Sequence, residues 1–404
     1  MALFKRKKEP AAPLQEDVTG MMDIPYLVLT VLLTAVGVLM MFSASFPRAK
    51  YDTGNSAYYF VRQAGFALAG IFIMLLVSRL NYFIWYRLAL FILLAAAVLL
   101  LILAANSLLL NKLGWIKKDL PLCKTVNGAS RWVRLGIDFQ PSEVAKLGMI
   151  LTFGAMMSVW QDKMGTFKYG VLPYVVILGV LGGLLMLEPH FSATIILLVV
   201  GAIMMLIGGT KKRWFLIGFG IILVVAAVYL VTHPYAMQRI LSWRNPEADA
   251  QNSGYQAIQS KYAIGSGGFL GLGFGRGRQK YMYLPEEHND YIFSIVCEEL
   301  GFVGAVGIIL LFILLIIRGY WIALHARDRF STLVAAGLTT KLAIQVFFNI
   351  GVVTKFLPST GISLPFFSYG GTALLLQMFE MGIMLSISRW SVNKESWKRR
   401  RANA

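Results

Sequence analysis

Residues 83–106 read FIWYRLALFILLAAAVLLLILAAN, a run with one charge, at Arg87. As an α-helix rising 1.5 Å per residue it reaches about 36 Å, enough to cross the roughly 30 Å of hydrocarbon in a bilayer. Similar runs occur at 25–46, 59–79, 142–160, 170–187, 191–208, 214–232, 291–317, 332–354 and 367–387. With 83–106 they predict an all-α polytopic membrane protein of ten transmembrane helices. Composition agrees: of 404 residues, 57% are hydrophobic and 14% charged, against about 25% charged in soluble domains. A soluble globule, a disordered chain and a disulfide scaffold are excluded. Cys123 lies in a polar stretch and Cys297 in an apolar one, so no disulfide is expected. The first apolar run exceeds the 7–15 residues of a signal-peptide core and reads as an uncleaved helix. The chain divides into an N-terminal tail (1–24), a membrane domain (25–387) and a basic C-terminal tail (388–404).

The charge balance is the oddity, with 38 Lys and Arg against 20 Asp and Glu. About half of the cations fall in alternate short loops and the tails, including Arg79, Arg87, Lys211, Lys212, Arg213, Arg318 and the tail KESWKRRR. The positive-inside rule then puts both termini in the cytoplasm, beside anionic membrane lipid. Most of the remaining cations lie in or beside extracytoplasmic segments, of which two, 107–141 and 233–290, are long. Long loops gathered on one face are where function concentrates.

The first long loop carries NGASRWVRLG and then QPSEVAKL, in which Pro141, Ser142 and Glu143 suit the opening turn of a helix. Lys146, one turn in, either snorkels to the interface or faces a polar cavity. In the second loop Glu247 and Asp249 are either ordinary solvated acids or the source of a general base. The segment GSGGFLGLGFGRGRQK (265–280) is not a nucleotide fingerprint. Gly271 and Gly273 would require glycine at Arg276, and no Lys-Ser/Thr pair follows. It reads either as a backbone cradle for pyrophosphate or as a re-entrant turn at the headgroups. Two adjacent acids, Glu298 and Glu299, cannot share a helix face, so at most one is expected to enter a common cavity. The stretch 358–371 is too broken to span a bilayer and must be buried in protein or line a cavity. Lys341, Asn349, Lys355 and Glu380 flank it. The four histidines lack metal-ligand spacing.

NGASRWVRLG…QPSEVAKL, NPEADAQNSGYQAIQSKYAIGSGGFLGLGFG, YLPEEHNDYIFSIVCEELG and NIGVVTKFLPSTGISLPFFSYGG stand in the order found in the SEDS family. This chain resembles those peptidoglycan glycosyltransferases (RodA, FtsW, SpoVE) from about residue 25 to 390, and is most similar to the FtsW/SpoVE branch. The resemblance implies polymerisation of lipid II into glycan strands at the outer face of the bacterial cytoplasmic membrane. Undecaprenyl pyrophosphate is then the leaving group. The family's loop aspartate lies three residues after a proline, which is Asp249 here, implied as general base. Arg131, Lys146, Arg244 and Lys355 are implied to hold pyrophosphate. Trp132, Glu143, Tyr255, Gln256, His288, Asp290, Glu299 and Ser368 are implied to line the cavity. His190 stands where many relatives carry Asp, and Ala250 where proline is common. A divalent cation, Mg2+ or Mn2+, is compatible with the chemistry, although no ligand set is legible and no nucleotide is required. The implied partners are lipid II, the nascent glycan strand and a class B penicillin-binding protein transpeptidase; nucleic acid is not among them. The competing readings are a lipid II flippase and a non-catalytic division scaffold.

Overall fold

The computed structural model describes residues 20–112, 119–126, 129–134, 136, 138–218, 220, 243–249 and 254–390. Its helices are α1 (Ile24–Thr53), α2 (Tyr58–Ser78), α3 (Phe83–Ser107), α4 (Pro141–Val159), α5 (Phe167–Gly170), α6 (Leu172–Leu187) and α7 (Phe191–Gly208). They continue with α8 (Tyr255–Gly267), α9 (Ile292–Leu324), α10 (Arg329–Val353) and α11 (Gly371–Arg389). Nine helical segments among the described residues are long and apolar enough to span a membrane, α5 and α6 together making one of them. The expected span 214–232 lies largely outside the described residues, as do most of the two tails.

Sequence sets the layering. The most enclosed helices, α4, α10 and α11, are also less apolar than the peripheral ones. They carry the Lys, Glu, Gln and Thr side chains that lipid would not tolerate, whereas α2, α3 and α9 turn mostly aliphatic surface outward. Local signals start and stop the helices as elementary rules predict. Asp23 caps α1 by accepting the Tyr26 N–H at 2.9 Å, and Pro25 sits in the first turn where its missing N–H is harmless. Asp328 and Ser331 form a reciprocal capping box at α10.

The architecture departs from all-α in one place. The loop 107–141 contains a three-stranded antiparallel sheet, β1 (Cys123–Val126), β2 (Ala129–Arg134) and β3 (Asp138–Phe139), in the order β1-β2-β3. Asn106 at the end of α3 donates to Ser130 Oγ at 2.9 Å, and Thr372 Oγ1 at the start of α11 donates to the Asp138 carbonyl at 2.8 Å. The sheet is thereby fixed to one end of the bundle, called here the site end.

The glycine-rich segment is not a free cradle: its backbone is paired, while Phe269, Leu270 and Phe274 are exposed. α9 is broken at Gly301 (φ 66, ψ −166), and the chain after α8 lies in the break. Leu272 and Gly273 N–H donate to the carbonyls of Glu298 and Glu299 at 3.0 Å each, while Phe302 and Val303 N–H donate to those of Gly268 and Phe269 at 3.0 and 3.2 Å. Backbone groups released by the break are thus satisfied by another backbone, as a water-poor interior requires. Further along, Gly275 and Gly277 N–H donate to the Glu299 carboxylate at 3.0 and 3.2 Å. Arg278 and Gln279 N–H donate to that of Glu298 at 2.7 and 3.2 Å. Both adjacent acids therefore grip one loop, contrary to the expectation that they must diverge. Their side chains leave the helix about 100° apart, but the loop curls around the break and meets both. Lys280 completes the knot, donating to Glu299 at 2.7 Å and to Ser43 of α1 at 2.9 Å.

Close approach at this crossing requires glycine. A Cβ on Gly271 (φ +81) would lie 2.2 Å from the Glu299 carbonyl oxygen, and one on Gly301 would lie 2.2 Å from the Gly271 nitrogen. Gly271→Ala is expected to destabilise the protein by about 3 kcal/mol through backbone displacement and left-handed strain. Gly307→Ala in the same α9, where a Cβ meets nothing within 4 Å, is expected to be neutral or slightly stabilising. Thermal unfolding of both variants in one detergent checks the contrast.

Candidate functional site

Three irregular segments meet at the site end. Asn349 of α10 donates to the Asp290 carbonyl at 2.8 Å and to the Ile362 carbonyl at 2.7 Å. Ser368 donates to the Asn289 carbonyl at 2.8 Å and accepts the Leu364 N–H at 2.7 Å. The stretch 354–370, which covers most of the expected broken segment 358–371 and delays the last helix from 367 to Gly371, is in this way folded onto the 286–291 loop. From α2, the Gln63 side-chain amide donates to the Ser368 carbonyl and accepts the Gly370 N–H, holding the backbone on both sides of Tyr369. Behind this seam lies a small cleft of about 40 Å³, lined by Glu143, Gln345, Ser368, Tyr369 and Gln377 among others.

The cleft floor is a line of four charges from three helices. Lys146 donates to Glu143 at 2.5 Å, Lys341 lies 3.3 Å from the other Glu143 oxygen, and Lys341 donates to Glu380 at 2.6 Å. Lys146 and Lys341 are each 2% exposed and Glu380 1%. Glu143 is the member that reaches the cleft. The sequence placed Lys146 and Glu143 here by motif; the structure adds Lys341 and Glu380, and gives Lys146 a carboxylate partner within its own helix turn.

A second group surrounds β2. The Arg131 guanidinium donates to the Pro189 carbonyl at 2.5 Å, and Gln140 lies 3.3 Å from the His190 ring, so the α6–α7 turn is pinned under the sheet. Glu188 is buried, and among the described residues no hydrogen bond reaches either carboxyl oxygen. Burial pushes this carboxyl up to about 9 against the pull of Arg131. Burial, with repulsion from Arg131 and Lys146, pushes His190 down to about 3. At neutral pH both groups are uncharged. Asp290 is pushed up to about 6 by burial and by Glu286, opposed by Arg131.

The other expected site residues are placed as follows. Asp249 closes a 3₁₀ turn, Pro246–Asp249, and residues 250–253 lie outside the described residues. Arg244 is exposed. Trp243 Nε1 donates to the Lys355 carbonyl at 3.1 Å, tying this loop to the end of α10. Lys355 is held below the usual lysine range by partial burial and by the nearby Lys261 ammonium, so two cations stand together there. Tyr255 and Gln256 open α8, half-buried, and Ser260 anchors that helix by donating to the Val353 carbonyl at 2.7 Å. Trp132 is half-buried in β2, and His288 stacks on Tyr59 with ring centroids 5.4 Å apart. Glu299 does not line the cavity: it is fully buried in the Lys280 and Ser43 knot. Lys341, Glu380 and Tyr59 carried no motif that would have selected them, although Lys341 and Glu380 were visible as charges within apolar runs; Lys261 lies within the 245–275 motif but was given no role.

Lys341→Met leaves Glu380 without its ammonium and is expected to cost about 3–5 kcal/mol, whereas Lys341→Met with Glu380→Leu recovers most of it; thermal unfolding checks the pair. For Glu188, the folded form keeps a proton that the unfolded form releases above its ordinary range. Its contribution to stability is therefore complete at acid pH and is lost as pH rises toward about 9. Between pH 6.5 and 9, Glu188→Gln is expected to flatten the decline in unfolding temperature.

Comparison with known proteins agrees with this construction. Residues 24–393 match the FtsW/RodA/SpoVE family, described as "Cell cycle protein". A Trichlorobacter lovleyi protein named "Probable peptidoglycan glycosyltransferase FtsW" is 40% identical over 368 residues, covering 91% of this chain and 93% of that protein. Stage V sporulation protein E of Bacillus subtilis is 36% identical over 371 residues, covering 91% and 97%. Among solved structures, a chain from a peptidoglycan synthase complex that coordinates polymerization and crosslinking superposes with a TM-score of 0.75 at 27% identity, covering 92% of this chain and 99% of that one. The Thermus thermophilus rod shape determining protein RodA shares the fold, with a TM-score of 0.64 at 23% identity, covering 91% and 97%. These matches across nine-tenths of its length place the chain in the FtsW/RodA/SpoVE family.

Proposed function

We propose that this chain is a peptidoglycan glycosyltransferase that polymerises lipid II into β-1,4-linked glycan at the outer face of the bacterial cytoplasmic membrane. The observation that carries the reading is the Pro246–Asp249 turn, tethered through Trp243 to the end of α10 in a chain of this family. The donor sugar is α-linked to pyrophosphate and the product β-linked, so one inverting displacement suffices. The acceptor 4-hydroxyl attacks the anomeric carbon, Asp249 takes the hydroxyl proton, and undecaprenyl pyrophosphate leaves with the bonding electrons. No carboxylate nucleophile is needed, and the activated donor supplies the driving force without ATP.

The departing pyrophosphate requires positive charge. Arg131, whose guanidinium reaches the α6–α7 turn at the Pro189 carbonyl, serves this role with Arg244 and Lys355 on the loop side. Lys146, neutralised by Glu143, acts by holding the cleft floor in shape and becomes available to phosphate only if Glu143 is drawn toward Lys341. A Mg2+ or Mn2+ ion, if bound, would supply further positive charge for the departing pyrophosphate. The partner is a class B penicillin-binding protein, which crosslinks the strands made here; the relative solved within a synthase complex supports this pairing.

One observation favours a second reading, a lipid II flippase: charges at membrane depth between discontinuous helices also suit transport. The two separate on one variant. Asp249→Asn is expected to lower lipid II polymerisation by the purified protein, with its partner, about 10²- to 10⁴-fold. Undiminished glycan synthesis by that variant would overturn the assignment of Asp249.

A further inference from the structure

Outside the cleft the site end carries a second surface that the proposed chemistry does not use. The start of α2, the 286–291 loop and the 361–370 loop bring four rings together. Tyr59 lies nearly parallel to His288 (centroids 5.4 Å apart, planes 20° apart) and edge-on to Tyr369 at 5.0 Å, and Tyr58 meets Tyr59 at 5.4 Å. The cluster is built rather than incidental. The Tyr369 N–H donates to the His288 carbonyl at 2.9 Å, and the Tyr59 hydroxyl donates to Asp52, which Arg48 also grips at 3.0 Å. Two guanidinium groups flank the rings. Arg48 is shared with Asp52, but Arg62 donates only to the Tyr58 hydroxyl, at 2.9 Å, with no carboxylate partner among the described residues.

Position decides what such a surface can hold. α1 is 30 residues long, about 45 Å, and outruns the roughly 30 Å of hydrocarbon. Its far end is pinned at Asp23 to Arg318 and Ser388, so the excess, with Arg48 and Asp52, projects at the site end. The ledge is open beside the cleft: Tyr58 is 37% exposed and Arg62 is exposed. Tyr369 belongs to both surfaces, lining the cleft and closing the ledge. Aromatic faces with polar edges suit the C–H faces and hydroxyls of sugar rings, and arginine suits carboxylates.

Resting on the glycosyltransferase reading, we propose that the ledge of Tyr58, Tyr59, His288 and Tyr369, with Arg48 and Arg62, is the subsite for the already polymerised glycan. Its hexosamine rings stack on the aromatic side chains, and the carboxylates of its peptide stems meet the arginines.

Binding of lipid-free, uncrosslinked glycan strands to the full chain in nanodiscs tests this without requiring turnover. Strands with and without their peptide stems are the two probes. Tyr58→Ala and Arg62→Ala alter exposed side chains, and Tyr59→Phe keeps the stack while losing the Asp52 contact. Wild type is expected to bind the stem-bearing strand at least tenfold more tightly than Tyr58→Ala with Arg62→Ala. Tyr59→Phe is expected to bind like wild type, and stem removal to weaken wild type but not Arg62→Ala. Equal binding by wild type and the double variant, or no binding by wild type, overturns the subsite. A wild-type protein that binds strands as described but makes none from lipid II overturns the glycosyltransferase reading instead.

Discussion

Everything at the site end depends on one constraint: in hydrocarbon, a backbone polar group that leaves a helix must find its partner within the protein. A catalytic surface at a membrane face needs irregular backbone, and each irregular piece here comes with its replacement bonds. The break at Gly301 is filled by the glycine loop, whose amides go to two glutamates and whose lysine goes to α1. The broken stretch before α11 is held by the amide groups of Asn349 and Gln63 and by the Ser368 hydroxyl. These fastenings give the cleft, the 243–249 loop and the Tyr59–Tyr369 ledge a common frame.

The same constraint governs charge. Lys146, Glu143, Lys341 and Glu380 alternate in sign along a line from the cleft into the bundle, so that each buried charge has an opposite neighbour. Such an array contributes little net stability compared with a well-packed apolar seam. Its contribution is directional: α4, α10 and α11 are held in one register, with Glu143 presented to the cleft. Near β2 the opposite solution is used, with Glu188 and His190 kept neutral by burial beside a charged Arg131. The excess of cations in the sequence therefore divides into groups with different tasks. One flanks the far end of the helices, one is paired with carboxylates inside the bundle, and one, with Arg131, Arg244, Lys261 and Lys355, lies at the site end.

Much of this architecture is legible in the amino-acid sequence. Nine of the ten expected spans correspond to helices because a run of twenty apolar residues has few alternatives, and the loop motifs lie together at one end. Contacts between distant segments are not legible in the same way. Lys341 and Glu380 are 39 residues apart, and nothing in either helix names the other. Glu298 and Glu299 would diverge on an unbroken helix, but this helix breaks two residues later. The glycine segment suggests an anion cradle because its free amides are visible in the sequence and their carboxylate acceptors are not. The sheet within 107–141 is hidden by its short strands and by docking bonds from Asn106 and Thr372, which no strand pattern discloses. The aromatic ledge draws its residues from the end of α1, the start of α2 and two loops, so no local pattern announces it.

The central claim is that this site joins sugars rather than moving lipid. The direct measurement is to reconstitute the purified chain and its transpeptidase partner in liposomes, with lipid II as the only substrate, and to follow both products. The account predicts β-1,4-linked glycan, with one undecaprenyl pyrophosphate released for each disaccharide added. Lipid II that crosses the bilayer and is recovered intact, with no pyrophosphate carrier released, would contradict it.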